Sequence, residues 1–354
     1  MSRTTALQRH APIVVALAAI ALGGCGGSAS LPLGAPAAPG ATAFETSGRA
    51  SVPAPKPAST EFFKGISPNS EPKGIVPGPG GNLWFTELSG GRIASITRQG
   101  KVTEFSGLPA GSQPNNLVAG RDGNLWFTQA NADVIGRMTP GGKVTTFGVG
   151  NEAYGPFDIA AGADGNLWFT FRSPSTNAIG RITTAGKVTL FTAGLSPGDV
   201  AVHDIARGPD GNMWFTEEFA NKIGRITPGG TIAEFSAGIT ANAGLVDIAA
   251  GPDGNLWFTE NSANKVARIT PHGTVTEFAK GISPGAGPGS IAAAKGFVWF
   301  TELGASRIGR VSPGGGITEF AEPAALGADI TADAVQGDLW ITDYAGNGIV
   351  RFTE

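Results

Sequence analysis

Seven tryptophans, Trp84, Trp126, Trp168, Trp214, Trp257, Trp299 and Trp340, follow one another at intervals of 42, 42, 46, 43, 42 and 41 residues. Each stands in a copy of one phrase: Asn-Leu-Trp-Phe-Thr-Glu at 255–260, Asn-Met-Trp-Phe-Thr-Glu at 212–217, Val-Trp-Phe-Thr-Glu at 298–302. A fixed period near 42 with one Trp per copy marks stacked supersecondary units. The copy from Leu245 to Phe278 shows what a unit contains. A β-compatible run at 246–250 leads into the turn Pro252-Asp253-Gly254-Asn255, where Asp-Gly supplies the positive φ of a hairpin. Leu256 to Glu260, Lys265 to Thr270 and Thr274 to Phe278 read as three further strands, separated by a polar loop and by the turn Pro271-His272-Gly273. No stretch carries the ten or more residues of 3.6 periodicity that a helix repeat needs. Four short antiparallel strands repeated seven times predict an all-β, seven-bladed β-propeller.

The last copy stops after three strands, ending in Ile349-Val350-Arg351-Phe352. Its missing fourth strand stands at the other end, where Thr60-Glu61-Phe62 matches Thr276-Glu277-Phe278. The N-terminal segment is therefore expected to complete the C-terminal blade and remove an exposed sheet edge. The interval from third-strand Ile or Val to fourth-strand Phe is constant, 93 to 105 through 308 to 320. Length varies instead between second and third strands and between blades, two connections that share one face of an up-and-down propeller. Variable loops on a rigid scaffold are where function concentrates. The longest copy carries its extra residues around Arg172 and around Asp199, so both are candidate ligand contacts.

Ahead of the repeats, Arg3 and Arg9 precede an apolar run from Ala11 to Leu22 that is too short to span a bilayer as a mature helix. It ends in Leu22-Gly23-Gly24-Cys25, which resembles a lipoprotein lipobox, and Cys25 is the single cysteine of the chain. The expectation is a signal peptide over 1–25, lipidation at Cys25, and an extracytoplasmic protein held to a membrane through that anchor alone. Residues 26–58, almost wholly Gly, Ala, Ser, Pro and Thr, read as a tether, and the propeller as 59–354. The net charge of −3 argues against a nucleic-acid footprint. A monomer is expected.

The phrase Gly-Pro-Asp-Gly-Asn-Leu-Trp-Phe-Thr-Glu, followed by Asn-Lys-Ile-Gly-Arg-Ile-Thr-Pro-Gly-Gly and best preserved at 208–230 and 251–273, resembles the virginiamycin B lyase (streptogramin lyase) family. The wording also shades into NHL-type and gluconolactonase-like propellers. The resemblance implies a seven-bladed lyase that opens a macrocyclic lactone by β-elimination. It implies a Glu-x-His element entering one blade, a second His one blade earlier, a Glu fourteen residues after the first His, and Mg²⁺ on the carboxylates. A divalent ion would polarise the ester carbonyl while a base of near-neutral pKa takes the α-proton.

The positions matching the His are Lys73, Asn115, Phe157, His203, Val246, Gly289 and Ala328. His203 alone is a histidine, and Ala201 stands where the Glu belongs. The carboxylate pair survives once, as Glu71 and Glu87 around Lys73, with Ala328 in the preceding blade. The two-His, two-Glu set is incomplete, which leaves two functions open. One is a binding propeller for a small molecule, glycan or peptide on the variable-loop face. The other is a carbon–oxygen lyase or lactonase-type enzyme, with Glu71 and Glu87 as magnesium ligands and Lys73 or His203 as catalytic residues. Glu217, Glu260 and Glu302 repeat the position of Glu87 and read either as a structural signature or as an acidic ring for a cation or basic ligand. The arginines at 137, 181, 225, 268, 310 and 351 read as an inter-blade ladder stacked on aromatics. The Asp-Gly-Asn turns lack the later carboxylate of a calcium loop.

Overall fold

Each Trp-Phe-Thr phrase forms the second strand of a four-stranded antiparallel sheet, and the fourth blade shows how. Its strands run Val202–Arg207, Met213–Glu217, Lys222–Ile226 and Ile232–Phe235, hydrogen-bonded in that order. The computed structural model describes residues 57–354 except 110, 151–154, 173–177, 199–200, 322–326 and 328, all within the unit Ala54–Glu354. Seven such sheets are present among the described residues. The seventh is closed as the sequence implies: Ala58–Phe62 pairs with Gly348–Thr353, Thr60 opposite Arg351, and Phe62 stacks on Trp340 at 5.6 Å.

The indole of Trp214 is buried and stacks on Phe235 at 5.5 Å, while the guanidinium of Arg225 lies 5.5 Å from both ring centroids. Arg225 also donates to the Pro271 carbonyl of the next blade at 2.9 Å. Arg137, Arg181 and Arg268 repeat both contacts, so the arginine ladder is an inter-blade joint. Arg225→Met keeps the apolar stem but loses the cation–π contact and the bond. It is expected to lower stability by about 1–3 kcal/mol in urea unfolding. In the hairpin turn, Asp210 accepts from the Trp214 indole N–H and the Asn212 amide, each at 3.1 Å, and Gly211 takes φ +80°. The Asp-Gly-Asn turns therefore hold the tryptophans. Gly224 packs beneath Phe215, where a β-carbon would come within 2.0 Å of the ring.

What positions the functional side chains is a bulge in the innermost strand. In blade 4 the register shifts between Val202 and Ile205, so two residues, His203 and Asp204, oppose one on the partner strand. The first six blades all carry this shift. A bulge leaves backbone groups without ladder partners. The threonine of the Trp-Phe-Thr phrase takes them up. Thr216 Oγ1 accepts from the Asp204 amide at 3.1 Å and donates to the Val246 carbonyl of blade 5 at 2.9 Å. Thr86, Thr128, Thr170, Thr259 and Thr342 make the same pair of bonds.

Candidate functional site

The bulges turn two residues per blade toward the central channel, whose cavity of about 530 Å³ they line. The second residue of each pair forms a polar belt: Asn116, Asp158, Asp204, Asp247, Ser290 and Asp329, with Gly74 in blade 1. Its carboxylates latch neighbouring blades. Asp158 accepts from the Ile205 amide at 2.9 Å, Asp204 from Ile248 at 2.8 Å, Asp247 from Ile291 at 2.9 Å and Asp329 from Ile75 at 2.8 Å. Gly74 has no side chain to offer, so the blade 2 amide of Leu117 turns to its own neighbour Asn116 at 2.8 Å. Burial raises Asp158 above its ordinary value, and burial with the adjacent Asp158 and Asp247 raises Asp204 well above its own. Asp329 is pushed up to about 8 by burial and then by Asp247.

The first residue of each pair stands at the mouth. Here the side chains of blades 1, 3 and 4 converge on the ring of Phe157. The Lys73 ammonium lies 4.9 Å from its centroid, the Arg172 guanidinium 5.4 Å, and the His203 ring 4.8 Å in an edge-on contact. Arg172 is ion-paired with Glu218 at 3.0 Å. The Lys73 ammonium has no hydrogen-bond or ion-pair partner among the described residues. Burial and then the charge of Arg172 bring Lys73 down to about 8, partly offset by Asp158 and Asp329. Burial, Arg172 and Lys73 push His203 down to about 3, against a single supporting contact with the Val246 backbone. His203 is therefore a neutral imidazole at ordinary pH, with Nδ1 buried and unbonded.

Of the residues singled out from sequence, Lys73, Arg172 and His203 meet at this mouth. Asp199 and Cys25 lie outside the described residues. Glu217, Glu260, Glu302 and Glu87 do not line the cavity: all four are buried at the ends of their second strands. Each faces a glutamate of its own fourth strand. Burial and then Glu234 raise Glu217 to about 8; burial and Glu277 do the same for Glu260, burial and Glu104 for Glu87, and burial and Glu319 raise Glu302 to about 7. In the pairs of Glu217, Glu260 and Glu302 the outer glutamate, Glu234, Glu277 or Glu319, is the lowered one. Glu234 accepts from the Ser196 amide at 2.5 Å, pairs with Lys222 at 2.6 Å, and is lowered because these bonds outweigh its burial. The recurring glutamate is thus one half of a carboxyl pair inside the blade.

Glu71 and Glu87 turn to different partners, Glu71 to Ser89 and Tyr344, Glu87 to Arg92 and Glu104. Among the described residues no group of three or more His, Cys, Asp or Glu side chains could hold a metal ion. A hard cation such as Mg²⁺ asks for several converging oxygens in octahedral array. Among the described residues, Glu71 and Glu87 with their separate partners do not make such an array. Sequence reasoning passed over the aspartate belt, although Asp-Ile recurs at 158, 204, 247 and 329, one step beyond the compared positions.

The virginiamycin B lyase family profile matches residues 56–204 and 171–354. A streptogramin B lyase structure is 32% identical, with 84% of this chain and 97% of that chain covered and a TM-score of 0.77. Virginiamycin B lyase from Staphylococcus aureus is 33% identical, covering 84% and 99%, with a TM-score of 0.76. A catalytically inactive form of the S. aureus enzyme with quinupristin gives 33% identity, 84% and 100% coverage, and 0.76. A comparison with curated proteins finds no match.

Proposed function

The chain belongs to the virginiamycin B lyase family, and from that premise we propose that it is an extracytoplasmic, lipid-anchored propeller that holds a small molecule at the mouth of its central channel. The observation that carries this reading is the convergence of Lys73, Arg172 and His203 on Phe157 above a cavity of about 530 Å³. Small-molecule sites have this size, an apolar lining and a few converging polar groups. A relative takes quinupristin, so a propeller of this family accommodates a ligand. The test is a thermal-shift screen of small molecules against the protein and Phe157→Ala. Ligands that raise the melting temperature are expected to lose most of that rise in the variant. Shifts that persist unchanged would place binding elsewhere.

A second reading, a carbon–oxygen lyase or lactonase-type enzyme, is favoured by Lys73 itself. An amine brought down to about 8 is partly unprotonated just above neutrality and can take a proton from carbon. On that reading, turnover of a lactone rises with pH through about 8 and disappears in Lys73→Met, while His203, neutral throughout, contributes hydrogen bonding. A pH profile flat between 7 and 9 would remove Lys73 as the base.

A further inference from the structure

The mouth is chemically two-sided, and the division follows blade order. At the first bulge position, blades 1 to 4 present Lys73, Asn115, Phe157 and His203, while blades 5 and 6 present Val246 and Gly289. In the residue that follows each second strand, blades 3, 4 and 5 carry Arg172, Glu218 and Asn261, whereas blades 6, 7 and 1, contiguous around the ring, carry Leu303, Tyr344 and Leu88. Leu303 lies down against the channel wall: a β-carbon on Gly289 would meet its Cγ at 2.9 Å. Leu303 and Tyr344 nevertheless remain 45% and 37% exposed at the rim. Apolar surface left uncovered beside a cavity is surface that a ligand can bury.

Charge sets the other half of the ligand. Arg172 is already met by Glu218, and among the described residues Lys73 is met by no anion at bonding distance. One negative charge is therefore wanted at the mouth, beside Lys73, because the belt carboxyls of Asp158 and Asp329 below it are already engaged with the Ile205 and Ile75 amides and offer an anion no cation. Resting on the reading of this mouth as a binding site, we infer that its ligand is an amphipathic monoanion, a carboxylate whose head lies between Lys73 and Arg172 and whose apolar body lies on Leu88, Leu303 and Tyr344. The His203 ring, edge-on to Phe157, adds no charge to the mouth.

The experiment is calorimetric titration of the full chain with octanoate, octylamine and octan-1-ol, followed by hexanoate and decanoate. Octanoate is expected to bind at least tenfold more tightly than the amine or the alcohol. Each added CH₂ is expected to tighten binding roughly three- to fourfold. Lys73→Met should abolish the preference for the acid, and the surface variant Arg172→Gln, which removes a half-exposed side chain, should reduce it. Leu303→Asn should weaken all chain lengths while leaving the preference intact. Equal binding of acid, amine and alcohol, a preference unchanged in Lys73→Met, or no binding of the three probes would overturn the monoanion. In each case a ligand from the thermal-shift screen that still depends on Phe157 would leave the mouth standing as a site, and the absence of any such ligand would remove both.

Discussion

Thr216→Val is expected to lower stability by about 2–5 kcal/mol, read as a shift in the urea midpoint at unchanged slope. The substitution keeps the volume and the β-branch and removes only the hydroxyl. That hydroxyl is fully buried and serves two backbone groups at once, the Asp204 amide of its own blade and the Val246 carbonyl of the next. Neither has a ladder partner to return to, because the bulges of the two blades have taken them out of register. An unsatisfied buried donor or acceptor costs about 1–3 kcal/mol, and here there are two. Thr216→Ser keeps the oxygen and is expected to recover most of the loss. A Val variant as stable as the parent would mean that water replaces the hydroxyl and that the threonines do not hold the bulges.

Stability is expected to be greatest near pH 5 and to fall by several kcal/mol by pH 8, an unusual profile with an identifiable origin. Glu87, Glu217, Glu260 and Asp329 are raised to about 8 and Glu302 to about 7. A carboxyl raised in the folded state stays protonated there while its unfolded counterpart ionises. Its folded form therefore loses ground steadily from about pH 4.5 up to the folded pKa. His203 acts in the opposite sense, since a histidine lowered to about 3 favours the folded state above pH 6.5 and loses that advantage as the pH falls. One histidine against five acids leaves the direction unchanged. Below about pH 4.5 the lowered carboxyls of Glu234, Glu277 and Glu319 take over, and stability falls again as they are protonated. Lys73 adds no slope in this window, since it is protonated in both states below about 8. Chemical unfolding at half-unit pH steps gives the curve. Glu217→Gln should stabilise the protein at pH 8 and change little at pH 5, as blade 2 already carries Gln129 at that position. A profile that instead rises from pH 5 to 8 would place ionised carboxylates in these pairs.

The arginines and the Asp-Gly-Asn turns could be read from their recurrence, because inter-blade stacking and hairpin formation repeat with the period of the chain. Glu217, Glu260 and Glu302 could not. Their recurrence was visible, but whether the carboxyl faced the channel or a glutamate of its own blade depended on side-chain direction across a strand pair twelve or more residues apart. The aspartate belt was legible as a repeated Asp-Ile and yet unread, since nothing local says that a bulge turns two consecutive residues inward.

From its sequence alone this chain determines seven blades, their four strands, the joining of its ends and the face where length varies. These follow from period, turn chemistry and strand count, which are properties of near neighbours. The tertiary structure decided which of the recurring polar residues meet. Lys73, Phe157, Arg172 and His203 are separated by up to 130 positions and come together only because the inner strands of seven blades are wrapped around one axis. Burial in that ring then sets their charge, leaving His203 neutral and Lys73 a cation with no anion bonded to it among the described residues, which no spacing in the sequence records.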